Sequence, residues 1–413
     1  MEMFVADFHI HSKYSRATSK NMNIPNLIEW ARYKGIHLLG TGDFTHHLWL
    51  QEIKQSLEYL PEKGLFFSEG IYFILSGEVS NIFSERGKVY RVHNLIMAPS
   101  LEVVQQINKM LSYYGNLASD GRPVLGMSCK NLAEELFKIS PDIMLIPAHI
   151  WTPWFSVFGS NSGFNSLEEA FQEFTDKITA LETGLSSDPP MNWRLSALDR
   201  FSLVSNSDSH SPQRIGREAN VFDCEVNYWE IKRVLEAKDK DKFLYTVEFF
   251  PQEGKYHYDG HRNCKVRLHP KETKKHGGIC PVCGRPLTRG VLNRVEELAD
   301  REEGFVPQNS IGYKSLVPLS EIIAEARGMD RSSKAVEKEY VKLVREFGSE
   351  FNLLVNVEEN QLFSQLPPKI AEGIKKVREG KLNILPGFDG EYGVIKIFDQ
   401  TEDKSKDAQL TLF

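Results

Sequence analysis

Two histidines one residue apart, His9 and His11, close the first apolar run of the chain in "VADFHIHSKYS". Met3, Phe4, Val5 and Phe8 read as a buried β-strand, and the two-residue side-chain period sends both imidazoles to one side. Rings that close repel each other when both are protonated, whereas a metal ion holds both neutral and shares their lone pairs. A hydrogen-bonded surface pair has the same spacing, so the rest of the chain decides. Residues of similar chemistry mark one short apolar segment after another: Asp43 in "IHLLGTGD", Glu78 in "YFILSGEVS", His93 in "VHNLIMAP", His149 in "IMLIPAHI", Glu182 in "ITALETG", and Asp208 with His210 in "FSLVSNSDSH". Buried carboxylates and imidazoles in such number need partners or a cation. The donor mixture suits zinc or a hard divalent cation.

Something must gather residues spread over two hundred positions. Helical stretches separate the apolar segments; in "NIPNLIEWARYKG", Pro25 suits a first turn, Leu27, Ile28 and Ala31 share a face, and Gly35 can stop the helix. Alternating β and α units predict a parallel sheet, and about seven of them predict a closed barrel, which brings the strand ends to one mouth.

The 413 residues are enough for two or three domains, and 41% hydrophobic with 26% charged residues is an ordinary globular composition. No apolar run reaches a membrane-spanning length and no N-terminal signal pattern is legible, which makes the cytoplasm the expected location. Five cysteines are too few and too unevenly placed for a disulfide framework, and the net charge of −6 argues against an all-over basic nucleic-acid binder.

Three of the cysteines fall within twenty residues, in "HRNCKVRLHPKETKKHGGICPVCG". The Cys280-x-x-Cys283 knuckle, with Cys264 upstream, predicts a closed tetrahedral zinc site of Cys₃His type. His261, His269 and His276 are in range as the fourth ligand; His261 is preferred because His-x-x-Cys repeats the knuckle spacing. Residues 254–290 also carry Lys255, Arg262, Lys265, Arg267, Lys271, Lys274, Lys275, Arg285 and Arg289 against Asp259 and Glu272. That local excess is a phosphate-binding surface or a solvated loop.

The barrel motifs resemble those of the polymerase and histidinol phosphatase (PHP) family of metallo-phosphoesterases, at "HIH", "GDFTHH", "GEVS", "VHN", "PAHI" and "NSDSH". Across the whole chain, from "ADFHIHSKYSRATSKNMN" through "CPVCGRPLTRGVLNRVEELADR" to "PGFDGEYGVIKIF", the arrangement is similar to the endonuclease Q family of repair nucleases. The resemblance implies an α/β fold: a distorted (β/α)7 PHP barrel over 1–240, a zinc-binding module over 241–290, a mostly helical C-terminal domain over 291–400 and a flexible tail over 401–413. It implies two or three divalent ions (Mg, Mn or Zn) in the barrel besides one structural zinc. The implied ligands are His9, His11, Asp43, Glu78, His93, His149, Asp208 and His210, and Asp208 or Asp43 would orient the attacking water. One departure is Phe44, where the family often carries a histidine after the aspartate; His46 or His47 reaches in instead, or the site holds one ligand fewer. The implied reaction is hydrolysis of DNA on the 5′ side of deaminated bases (hypoxanthine, uracil, xanthine) and abasic sites.

The loop "WTPWFSVFGSNSGF" follows His149 and should overhang the mouth. Trp151, Trp154, Phe155 and Phe158 stack on an extruded base there, with Ser160 and Asn161 reading its edge, or else form a hydrophobic lid. In "GLSSDPPMNWR", Asp188 and Asn192 are expected to face substrate, and on the phosphate-binding reading Arg262, Lys265 and Arg267 are the expected contacts to the DNA backbone. Beyond Val291, four amphipathic stretches predict a packed helical region. The terminal "QLTLF" resembles the start of a sliding-clamp-binding motif, matched at Gln409 and Leu412. Two rival readings are a small-molecule phosphomonoesterase of the histidinol-phosphatase kind, which has no use for the added segments, and a non-catalytic DNA-binding protein, which has no reason to keep clustered acids and imidazoles.

Overall fold

The computed structural model describes residues 3–85 and 87–398. The first of two units holds the N-terminal stretch to Arg32, Ile36–Glu248 and Val291–Lys314; the second holds Tyr33–Gly35, Phe249–Gly290 and the chain from Ser315. Residues 241–248 and the helix Val291–Leu298 thus fall with the first unit and not with the zinc module or helical domain that the sequence suggested. The cause is pairing and anchoring: the strand Phe243–Glu248 is antiparallel to Ala219–Phe222, and Arg294 donates to the Phe158 and Phe164 carbonyls.

Seven strands run around the first unit: β1 (Phe4–Asp7), β2 (Leu38–Gly40), β5 (Ile71–Glu85), β6 (Lys88–Ala98), β8 (Met144–Pro147), β9 (Ala180–Glu182) and β10 (Ser202–Val204). Strands β3 (Glu58–Leu60), β4 (Leu65–Ser68) and β7 (Val124–Leu125) flank β5, while β11 (Ala219–Phe222) and β12 (Phe243–Glu248) extend from β1. Pairings β1–β2, β2–β5 and β9–β10 are parallel, as expected, but β5–β6 and β6–β8 are antiparallel. The β5–β6 pair is one long hairpin with eleven paired positions, so the helical connection expected between its strands is replaced by a turn. The ring closes from β8 to β9 through Ile150 N to Glu182 O at 3.0 Å, and from β10 to β1 through His11 N to Ser209 O at 2.9 Å. Side chains including Ala6, Phe8, Leu38, Ile74, Leu95, Ile146, Ala180 and Val204 form the buried core of this distorted α/β barrel. No helix among the described residues is long and apolar enough to cross a membrane.

In the second unit, β13 (Asp259–His261) and β14 (Val266–Leu268) form a short hairpin that continues into the cysteine knuckle. Helices Leu319–Arg327, Lys334–Glu346 and Pro368–Arg378 appear where the amphipathic pattern predicts them. The pattern did not reveal Glu359–Gln365 or the π-helical turn Asn352–Asn356 between them. Gln409 and Leu412 lie outside the described residues.

Candidate functional site

The strand ends of the first unit converge as two groups of potential ligands that share Glu78. His9, His11, Glu78 and Asp208 place one ligand atom each within 4.8 Å of one another, and so do Glu78, His93 and His149. The two oxygens of Glu78 divide the task. Oε2 lies 3.2 Å from His11 Nε2 and 3.5 Å from His9 Nε2; Oε1 lies 2.7 Å from His93 Nδ1 and 3.0 Å from His149 Nε2. Asp208 Oδ1 completes the first group, 3.1 Å from His11 Nε2 and 3.7 Å from His9 Nε2.

A test of fit for a cation is what these atoms otherwise do. His9 Nε2, His11 Nε2 and Asp208 Oδ1 are buried and have no hydrogen bond of acceptable geometry, although they face one another closely. Behind them the opposite ring nitrogens are fully employed: His9 Nδ1 lies 3.0 Å from Glu182 Oε1, His11 Nδ1 3.0 Å from Asp43 Oδ1, and His149 Nδ1 3.1 Å from Thr152 Oγ1. A carboxylate that takes the outer N–H fixes the tautomer whose inner lone pair points into the cluster, the arrangement of metal-bound histidine. The donor set fits divalent metal ions.

Electrostatics agree. Burial alone would raise the Glu78 and Asp208 carboxyls, yet both are held well below the usual range: Glu78 by His93, Arg122 and His9, Asp208 by His11 and His9. Burial takes the His93 imidazole down to about 4, against the pull of Glu78, so it is neutral at pH 7 and able to donate its lone pair. His9 and His11 go the other way: burial is outweighed by Glu182 and Glu78 at His9 and by Asp43 at His11. The carboxylates hold positive charge at this spot, a demand a divalent cation meets more fully.

The backbone is strained where these side chains leave it. Asp43, His149 and Asp208 adopt φ of +47°, +32° and +45°, in the region that L residues with a side chain avoid. Beside His149, a Cβ on Gly184 would come within 2.4 Å of the histidine Cβ, so only glycine lets the strand ends approach.

Several expected roles change. Asp43 is not in either ligand group: Oδ1 is taken by His11, and Oδ2 accepts from Ser12 N, Ser12 Oγ and Ser15 Oγ at 2.6, 2.6 and 2.9 Å. Through Oδ1 it orients His11, while Oδ2 is held by the two serines. His210 also lies outside the groups; its Nδ1 bonds the Asp208 carbonyl and its ring leans on His11, with centroids 4.5 Å apart. Neither His46 nor His47 replaces the missing ligand, because His46 stacks between Tyr14 and His47. Trp151, Phe158 and Asn192 are buried, with Trp151 Nε1 donating to Asn192 Oδ1 at 2.8 Å, so they form the floor of their loops and not the exposed surface. Asp188 caps the short helix Pro189–Asn192. Trp154, Ser160 and Asn161 are exposed, and the Phe155 ring lies 4.8 Å from His93.

The sequence places Glu182 among the strand-end acids without assigning it a partner, and it does not mark Arg122, whose Nη1 is 3.0 Å from Glu78 Oε2. Glu182 stood in plain sight at a strand end. Arg122 stands in a loop before β7, where no local pattern marks it.

In the second unit His261, Cys264, Cys280 and Cys283 come within the same 4.8 Å limit, with His261 Nδ1 3.4 Å from Cys283 Sγ. His269 instead caps the helix Pro270–Lys275 by accepting from Lys271 N. Against the raising effect of burial, backbone N–H groups of Cys283 and Val282 bring the Cys280 thiol down to about 7, toward the thiolate a metal requires. Arg262 binds Asp389 through its backbone N–H, and Arg267 donates to the Pro386 carbonyl over the Phe388 ring.

Comparison with known proteins gives a consistent picture. Residues 318–381 match the MJ0043 C-terminal domain family. The chain is 34% identical over 258 residues to the uncharacterized protein MJ0043 of Methanocaldococcus jannaschii, covering 60% of this chain but only about a third (32%) of that protein's length. It is 29% identical to the uncharacterized protein YqxK of Bacillus subtilis over 96% of this chain and 100% of that one. Among solved structures, the lesion-specific endonuclease PfuEndoQ of Pyrococcus furiosus superposes with a TM-score of 0.86 at 33% identity, covering 98% of this chain and 99% of that one. Endonuclease Q in complex with a 27-mer duplex substrate carrying an abasic lesion at the active site gives 0.84 at 34% identity, over 97% and 98% of the two chains.

Proposed function

The chain belongs to the endonuclease Q family, and from that premise we propose that it is a metal-dependent DNA endonuclease that hydrolyses the phosphodiester 5′ to deaminated bases and abasic sites. The observation that carries this reading is the Glu78-shared pair of ligand groups, in which three buried polar atoms lie close together without a hydrogen bond. Two divalent ions held by His9, His11, Glu78 and Asp208 and by Glu78, His93 and His149 would supply an activated water, neutralise the non-bridging oxygens and assist the leaving oxygen. The protein's own residues prepare that chemistry. Glu182 and Asp43 hold the His9 and His11 rings in register, and Asp208 keeps Oδ1 inward while 27% of its side chain stays exposed to receive the attacking water.

Lesion selectivity follows from the cost of extrusion. A deaminated base pairs weakly and an abasic site leaves no base to unpair, so both open more cheaply than an intact pair. Trp154 supplies an exposed ring and Ser160 and Asn161 exposed polar groups on the loop after His149. Arg262 and Lys265 in the basic stretch contact backbone phosphates, and Gln409 with Leu412 would engage a DNA sliding clamp. The test is incision of end-labelled duplexes bearing one hypoxanthine, uracil, abasic site or no lesion, with Mn²⁺ or Mg²⁺, beside Asp208→Ala. One nick 5′ to each lesion, absent from the undamaged duplex and from the variant, is expected. Equal cutting of undamaged DNA overturns the lesion reading, and phosphomonoester turnover with intact duplexes overturns the nuclease.

A further inference from the structure

Arg122 is a cation beside a site that gathers cations. Its Nη1 donates to Glu78 Oε2 at 3.0 Å, the only side-chain hydrogen bond it makes among the described residues, and 27% of the side chain remains exposed. A guanidinium carries five N–H donors in a rigid plane, so most of its capacity is uncommitted.

Its placement is built. Arg122 N donates to Asp120 Oδ1 at 3.1 Å, and the same carboxylate takes Arg16 N. Gly121 N donates to the Tyr14 carbonyl, and Thr45 Oγ1 donates to Gly121 O at 3.0 Å. A Cβ on Gly121 would stand 2.3 Å from both Asp43 Oδ2 and Ser15 Oγ, so this residue is wedged against the carboxylate that orients His11. One residue further, Pro123 accepts from Ser80 N, and β7 pairs with β5 two residues beyond Glu78. The segment is not one of the seven ring strands but is fastened to β5 beside them. Its effect is to hold a guanidinium at the rim of the ligand cluster.

Both oxygens of Glu78 already face histidine groups, so a further positive charge there repels bound cations unless an anion joins them. A phosphodiester is such an anion, and the fork of an arginine matches two oxygens of a phosphate. Resting on the endonuclease reading above, we propose that Arg122 is a substrate-binding residue of the incision centre, gripping a non-bridging oxygen of the scissile phosphate as negative charge builds there. The bond changes are those of hydrolysis: water oxygen bonds to phosphorus, the P–O bond to the leaving sugar breaks, one proton of the water ends on the departing oxygen and the other leaves with the new phosphomonoester or passes to solvent.

The experiment compares full-length wild type, Arg122→Gln and Arg122→Lys on an abasic duplex with Rp or Sp phosphorothioate at the cleaved linkage. Single-turnover rate, duplex affinity by anisotropy in Ca²⁺, bound metal and melting temperature are measured together. We expect Arg122→Gln to lose about 10²-fold in rate and to bind the duplex more weakly, with metal content unchanged. The preference of wild type between the two diastereomers should fall in that variant and partly return in Arg122→Lys. A rate for Arg122→Gln within scatter of wild type overturns the proposal. So does a rate loss that tracks lost metal while the diastereomer preference stays. If wild type cuts no lesion duplex and turns over only a phosphomonoester, the endonuclease reading fails separately; Arg122 is then judged on that ester, and an unchanged KM and kcat in Arg122→Gln overturns its phosphate role.

Discussion

Glu182 touches none of the inward-facing atoms, yet it links three parts of the site: the His9 ring at 3.0 Å, the His149 backbone N–H at 2.8 Å and Asn206 Nδ2 at 2.8 Å. Glu182→Gln keeps the shape and removes the charge that favours the Nδ1–H tautomer of His9. Metal affinity should fall about 10- to 100-fold, read by titration of the stripped protein, with excess metal restoring incision; affinity equal to wild type would refute the role. A second buried carboxyl acts on stability. Glu248 lies wholly buried between Thr183 and Thr246, and burial, with the charge of Asp188, pushes it up to about 8 against their hydrogen bonds. The folded state prefers the protonated form while the unfolded carboxyl titrates near its ordinary value, so the contribution is present at low pH and lost as pH rises toward 8. Glu248→Gln should therefore melt about 5 °C higher than wild type near pH 8.5 and show little gain near pH 4.5; a pH-independent difference in calorimetry would contradict this.

At the scale of elements, much of the site was legible because barrel strands end in the residues that matter. His9, Glu78, His149 and Asp208 each close or interrupt an apolar run, and period-two alternation gives their direction. What sequence could not give was the second layer. Asp43 looks like a ligand in one dimension, and only its bonds to Ser12, Ser15 and His11 show that it orients a histidine from behind. The β5–β6 hairpin was misread for a similar reason: an apolar run carries no mark of whether its neighbour is parallel. Trp151 and Phe158 shared an aromatic loop with Trp154, and burial, not composition, separates floor from surface. The knuckle was the easiest element, since its four potential ligands lie within 22 residues of one another and only the choice of histidine was open. Cys283→Ser should cost one zinc per chain and speed amide exchange across residues 259–290, because ligation supplies the folding energy of so short a segment. Unchanged zinc content and exchange would remove the structural role.

For the molecule as a whole, a chain of net charge −6 must approach a polyanion through local charge. Arg122 and the basic stretch of residues 254–290 carry such charge, and the proposed function gives both to phosphate. The central claim is that lesion incision is carried out at the Glu78-shared centre. The measurement that tests it most directly is nicking of a single-abasic duplex by metal-stripped protein across a Mn²⁺ titration, wild type beside Glu78→Gln of matched circular dichroism. Expected are no nick without metal, a single nick 5′ to the lesion that rises with Mn²⁺ in wild type, and none in Glu78→Gln. A nick that persists in the stripped protein, or that Glu78→Gln makes as well as wild type, would contradict it.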